Sequence, residues 1–211
     1  KNLNKVILKL QNSGFKESVM KECSEVFYKK DFHNDLDVNP NLIGFENGIF
    51  DLENMIFRDG MPEDNVSMST GINYIDYDEN DRDTTETVQE VLYQIHPSEK
   101  KRNYVLNYAA SCLHGSVPHE IFPIWTGSGA NGKSILIDLI HNCFGDYAFE
   151  TDVSLLQQKR GKSNQASPEL AGLKGKRFVS LQEPDSDEKI RVEKMKSFTG
   201  GDKISCRGLF K

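Results

Sequence analysis

Residues Gly127-Ser128-Gly129-Ala130-Asn131-Gly132-Lys133-Ser134 fit the pattern G-x-x-x-x-G-K-[ST] at every fixed position. Each residue type has a chemical reason to be there. Glycines let the backbone take angles that other residues resist. The loop's N–H groups can then converge on phosphate oxygens, beside the positive end of a following helix. Lys133 can reach the β- and γ-phosphates as a point charge, and the Ser134 hydroxyl can coordinate Mg²⁺. All eight residues are therefore candidates for binding ATP with Mg²⁺. The plain alternative is an ordinary glycine-rich strand-to-helix loop.

A phosphate loop specifies a nucleotide, not a reaction. A neighbouring strand ending in an acid should complete the chemistry, and Phe178-Val179-Ser180-Leu181-Gln182-Glu183 is the best downstream match. Glu183 is positioned to polarise an attacking water, so Lys133 and Glu183 form the candidate catalytic pair. Gln182 or Glu183 is the candidate metal-side residue. Glutamine carries no charge, which weakens any metal contact there. Further on, residues 196–207 read as a helix end, a glycine turn and a strand. Lys203, Arg207 and Lys211 give this part positive charge for a phosphate backbone, although composition alone reads it as a solvated hairpin.

Elements must hold these residues in place. Ile121-Phe122-Pro123-Ile124-Trp125 reads as a short apolar strand before the loop. An amphipathic helix should run from about Lys133 to Phe144, with Gly145 closing it. Arg177 to Leu181 reads as a second strand, and Ser167-Pro168 as a helix start. Upstream, the first 30 residues read as helical, with Val19, Met20, Cys23, Val26 and Phe27 on one face. Residues 43–57 read as a β-meander with an Asn47-Gly48 turn. Ile72 to Tyr77 reads as another strand. Two helices follow, one from Thr84 or Thr85, the other capped by Ser98 and stopping at Gly115. Tyr104, Tyr108 and Trp125 read as packing residues rather than base-stacking platforms. The texture changes near residue 116, which predicts a mixed α+β module over 1–115 and the start of an α/β module over 116–211.

The bulk properties bound the class. At 211 residues with 37% hydrophobic and 27% charged residues, the chain is globular in composition. No stretch approaches a membrane span, and no secretory signal is visible. Four scattered cysteines without a CxxC predict a reducing, intracellular compartment. The net charge of −6 argues against a nucleic-acid partner, but it averages two unlike halves. Residues 46–90 hold 13 acids against two arginines, whereas residues 155–211 hold 13 basic residues against seven acids. Asp76 to Asp83 begins like a calcium loop, but lacks the glycine at position six and the acid at position twelve. Cys112, His114 and His119 match no zinc spacing.

Four runs carry a family resemblance: Asn41 to Asn54 ("NLIGFENGIFDLEN"), Pro62 to Tyr74 ("PEDNVSMSTGINY"), Gly127 to Ser134, and "GKRFVSLQEPD" with "KSFTGGDKISCRGLF". In order and spacing, residues 38–211 resemble the poxvirus and giant-virus primase-helicases, superfamily 3 helicases within the AAA+ ATPases. The resemblance implies an α/β P-loop NTPase of AAA+ type, incomplete at its C-terminus, after a mixed α+β accessory domain. It implies ATP and Mg²⁺ at Gly127, Gly132, Lys133 and Ser134, and Glu183 as the second-motif acid. It also implies a DNA-contacting hairpin led by Thr199 to Asp202. The partners it implies are single-stranded DNA and the duplex fork, further copies of the chain in a ring (a hexamer), and a primase domain upstream of Lys1. The expected setting is a viral replication site or host cytoplasm. The sensor asparagine and arginine finger of the family have no match before Lys211, so the chain reads as a fragment. Two rival readings stay open: a replication scaffold that binds nucleotide without turnover, and a small-molecule P-loop kinase.

Overall fold

The computed structural model describes residues 2–78, 80–117, 119–157, 168–182, 189–201 and 204. The chain divides into two units, Lys1–Leu36 and Asp37–Lys211.

The first unit is helical, as its sequence predicts. It contains α1 (Asn2–Leu10), α2 (Ser13–Val26) and a single turn, α3 (Phe32–Asp35). Asn12 separates the first two, its side-chain oxygen accepting from Phe15 N at 3.2 Å to cap α2. Of the apolar residues expected on one face, Val19, Met20, Cys23 and Val26 lie on α2 and Phe27 caps its end, and most of them are exposed. Met20, Val26 and Phe27 are 67%, 70% and 77% exposed.

The second unit begins with a three-stranded antiparallel sheet, β1 (Leu42–Phe45), β2 (Gly48–Asp51) and β3 (Ile56–Arg58). Phe45 pairs with Gly48, so the first hairpin turns on Glu46-Asn47, not on Asn47-Gly48. Gly48 is needed for another reason: a Cβ there would stand 2.6 Å from the Arg58 carbonyl oxygen. Asp51 shapes the second turn by accepting from Glu53 N, Asn54 N and the Asn54 amide. The strand expected over Ile72 to Tyr77 does not form. That segment joins the sheet through separate bonds instead. Thr70 N donates to Gly44 O and Glu46 N to Ile72 O, while the Asn47 side chain bonds both backbone groups of Tyr74. A side chain thus takes the place of a continuous ladder. The Tyr74 ring stacks on Phe57 at 4.5 Å.

Helices α4 (Arg82–Ile95) and α5 (Glu99–Ser111) follow. The cap of α4 is Asp81, which accepts from Thr84 N, so the helix starts before the expected threonines. Ser98 holds the N-cap position of α5 but makes no side-chain cap bond, and that helix ends before Gly115. Tyr104 is exposed rather than packed, whereas Tyr108 and Trp125 lie partly buried against the core. Beyond residue 116 lie α6 (Lys133–Phe144), β4 (Ala148–Thr151), α7 (Ser154–Gln157), α8 (Pro168–Gly172), β5 (Phe178–Leu181) and α9 (Val192–Thr199). β4 and β5 pair in parallel. Residues 121–125 form no strand, because no ladder partner for them lies among the described residues.

One buried cluster joins Ile43 and Leu92 to Leu136, Ile140, Phe144, Tyr147 and Phe178, from both sides of position 116. Tyr147 and Arg177 tie it together. The Tyr147 hydroxyl accepts from Gly44 N at 2.8 Å and donates to Met68 O at 3.1 Å. Arg177 lies over the Tyr147 ring, 4.7 Å from its centroid, and donates to the carbonyls of Leu42 and Leu113. Burial pushes the Tyr147 hydroxyl up in pKa and the Arg177 guanidinium down. Tyr147→Phe leaves a buried N–H without its acceptor, so the chain should lose about 1–3 kcal/mol of stability in denaturant titration. An unchanged unfolding midpoint would mean that water or another group satisfies Gly44 N.

Candidate phosphate-binding loop

The loop at 127–134 lies between the segment carrying Trp125 and the first turn of α6. Three of its residues have left-handed φ: Gly129 at 86°, Ala130 at 47° and Gly132 at 78°. Alternation of hand along a short run turns successive N–H groups toward one concavity, which suits an anion. Gly132 is the N-cap of α6, and its carbonyl accepts from Leu136 N, the first bond of the helix. The positive end of a 12-residue helix therefore opens on the loop.

Gly132 is restricted by space as well as by angle, and Gly127 is approached by two side chains of the loop. A Cβ on Gly132 would come 2.6 Å from Ile95 Cγ1, so the end of α4 presses on the loop. A Cβ on Gly127 would come 1.8 Å from the Asn131 amide nitrogen and 3.1 Å from Lys133 Nζ. Lys133 Nζ donates to Asn131 Oδ1 at 3.1 Å. The ammonium is thus held over the glycine end of the loop by a neutral oxygen. Ser128, Gly129, Ala130, Asn131 and Ser134 are exposed, and Lys133 is half-buried.

Helix α6 packs on both strands of the parallel pair. A short turn, Gly145–Tyr147, reverses the chain from α6 into β4. The far end of β4, at Thr151, therefore lies toward the helix end that carries the loop, and parallel pairing brings the end of β5 with it. Carboxyl ends of parallel strands are where α/β sheets receive ligands. Gln182 follows β5 directly, and its amide donates to Glu150 Oε1 at 3.0 Å. Glu150 carries no local sequence signal, because β4 is recognisable only through its pairing. Glu183, Lys203, Arg207 and Lys211 lie outside the described residues. Among the described residues no group of three metal-ligating side chains is assembled, so Ser134 and Gln182 are the metal-side candidates that can be placed. No helix among the described residues is long and apolar enough to cross a membrane.

Comparison with known proteins finds relatives of viral origin. Residues 1–97 match the family described as D5 N terminal like. The chain is 46% identical over 210 residues to a protein of Acanthamoeba polyphaga mimivirus named "Putative helicase", covering all of this chain and 22% of that one. A protein of the same name from Invertebrate iridescent virus 3 is 34% identical over 212 residues, again all of this chain and 22% of its own length. A "Putative primase" of African swine fever virus is 24% identical over 204 residues, 95% of this chain and 21% of its own. The chain thus spans a minor part of the length of the curated relatives it matches. With the family match at its N-terminal end and viral relatives aligned along all or nearly all of it, the chain is related to the viral primase-helicases that its motifs resemble.

Proposed function

We propose that this chain is a nucleotide-binding part of an ATP-driven DNA helicase that acts in viral genome replication. The observation that carries the reading is the 127–134 loop: three left-handed residues, a space-restricted Gly132 and Lys133, all at the N-terminus of α6. The residues present suit a bound nucleoside triphosphate. The loop already holds a lysine ammonium against a neutral oxygen that an anion can replace. On this reading the fold is a P-loop ATPase core of AAA+ type beginning near residue 116, with residues 1–115 as its accessory domain.

The roles follow from chemistry. Backbone N–H groups of Gly127 to Gly132 orient the phosphates, and Lys133 offsets charge at the β- and γ-positions. Ser134 would hold Mg²⁺, with Gln182 or Glu183 on its far side, and Glu183 would orient the water. When bound, ATP supplies a cleavable phosphoanhydride and Mg²⁺ supplies a Lewis acid. Lys203, Arg207 and Lys211 are proposed to face single-stranded DNA at the fork, within a hexameric ring. A primase domain upstream is proposed on the name of the African swine fever virus relative. A scaffold without turnover remains the second reading, favoured by the bond that occupies the uncharged Gln182 amide.

Turnover of ATP by the full-length protein, with and without a single-stranded oligonucleotide, tests the proposal. DNA-stimulated release of inorganic phosphate is expected. Tight ATP binding without release would favour the scaffold.

A further inference from the structure

The loop leads into α6 and the second motif follows β5, and one polar contact joins that helix to that strand. His141 is on the third turn of α6, eight residues after Lys133. Its Nε2 lies 2.9 Å from Ser180 Oγ on β5, and the contact is partly buried. The imidazole also stands edge-on to Phe178, 5.5 Å between centroids with planes at 82°. Phe178 belongs to the buried cluster together with Leu136, Ile140 and Phe144 of α6. Apolar packing sets how closely helix and strand approach, and the ladder with β4 holds the register of β5. The hydrogen bond is directional and adds a direct constraint between α6 and β5 along the strand axis.

The register makes this useful. Ser180 pairs with Glu150 across the parallel ladder, and Gln182, two residues on, bonds the Glu150 carboxylate. Ser180 is also three residues before Glu183 in sequence. A shift of β5 along α6 would move that end of the strand relative to Lys133 and Ser134 by the same amount. Displacements of about 1 Å are enough to cost on the order of a hundredfold in rate.

We propose that His141 is a positioning residue: through Ser180 it fixes the axial position of β5 on α6, and hence the second motif relative to the phosphate loop. This rests on the ATPase reading above. It requires neither charge on the imidazole nor contact with the nucleotide. Glutamine can present an Nε2 donor at a similar reach, which makes His141→Gln the conservative replacement.

The test uses the full-length protein and the variants His141→Ala, Ser180→Ala, the double variant and His141→Gln. Each alanine variant should lower kcat for ATP about tenfold or more while KM and ATP affinity stay within about twofold. The double variant should be no worse than the singles, since both remove one bond. His141→Gln should recover most of the rate. In nucleotide-free protein, hydrogen exchange at Val179 to Leu181 should quicken in the alanine variants and return toward wild type in His141→Gln. Full kcat and unchanged exchange in both alanine variants would overturn the brace alone. Absence of ATP turnover in the wild-type protein would overturn the ATPase reading itself, while the exchange comparison would still test the brace. If His141→Gln behaves as His141→Ala, the hydrogen bond is not the operative contact and the proposal also fails.

Discussion

Replacing Gly145 with alanine should lower the melting temperature of the chain by roughly 10 °C or more. Gly145 closes α6 at φ 52° and ψ −122°, outside the regions open to residues with a side chain. That strain alone costs about 1–3 kcal/mol. An added Cβ would stand 2.2 Å from the Thr70 carbonyl oxygen, 2.4 Å from its carbon and 2.8 Å from the Ser69 oxygen. These are backbone atoms, and two bonds hold them in place: Asp146 N to Ser69 O at 2.9 Å, and Ser69 N to Asp146 Oδ2 at 3.0 Å. Relief of the clash must break them. A total of about 4 kcal/mol or more follows, at about 2–4 °C per kcal/mol for a unit of this size. Gly71 is the control. It also has positive φ (72°), but nothing lies within 4 Å of its Cβ position, so Gly71→Ala should show the backbone strain alone. Equal small shifts in the two variants would show that the 69–70 segment yields.

Lys133→Ala should reduce ATP turnover of the full-length protein by about 10²–10³-fold or more, the range seen when a preorganised stabilising group is removed. The ammonium is the one side-chain cation within the eight-residue loop, and its hydrogen bond goes to Asn131 Oδ1, which carries no charge. A neutral partner leaves the positive charge available to the phosphates. Lys133→Arg should not restore the rate, because a planar guanidinium does not replace a compact ammonium in so narrow a loop. Stability should change by no more than about 0.5 kcal/mol, since the hydrogen bond to Asn131 is at the surface. Phosphate release measured beside thermal melting separates the effects. Turnover equal to wild type would remove Lys133 from the chemistry.

How much of this was legible depended on whether the signal was local. The α6 helix and its Gly145 stop were readable because periodicity and a positive-φ residue lie within one segment. The strands β1, β2 and β3 were readable too, although the first turn falls one residue before the Asn-Gly signal. β4 was not: Ala148-Phe149-Glu150-Thr151 has no strong alternation, and it becomes a strand by pairing with β5 thirty residues away. The reverse error arose at residues 72–77, where β-branched and aromatic residues suggested a strand but the Asn47 side chain took over the bonding. The 127–134 loop was singled out by a pattern of residue types, and its left-handed residues are two of its glycines and their neighbour Ala130. Its supports, Ile95 against Gly132 and His141 against Ser180, join residues 37 and 39 positions apart and leave no trace in either neighbourhood. Tyr147 and Arg177 share that invisibility, although an arginine directly before an apolar strand was a hint to ask where its charge went.

The contact between Ile95 and Gly132 bears on how the sequence can change over generations. Position 95 falls near the end of the region matched by the N-terminal family, whereas position 132 belongs to the phosphate loop. The side chain of one fills the space that a side chain of the other would need. Drift at either place is therefore hemmed in by the other: residue 95 can become shorter but not bulkier toward the loop, and residue 132 cannot leave glycine even where a neighbouring turn would tolerate asparagine. Two stretches that look like separate inheritances must then be passed on as one.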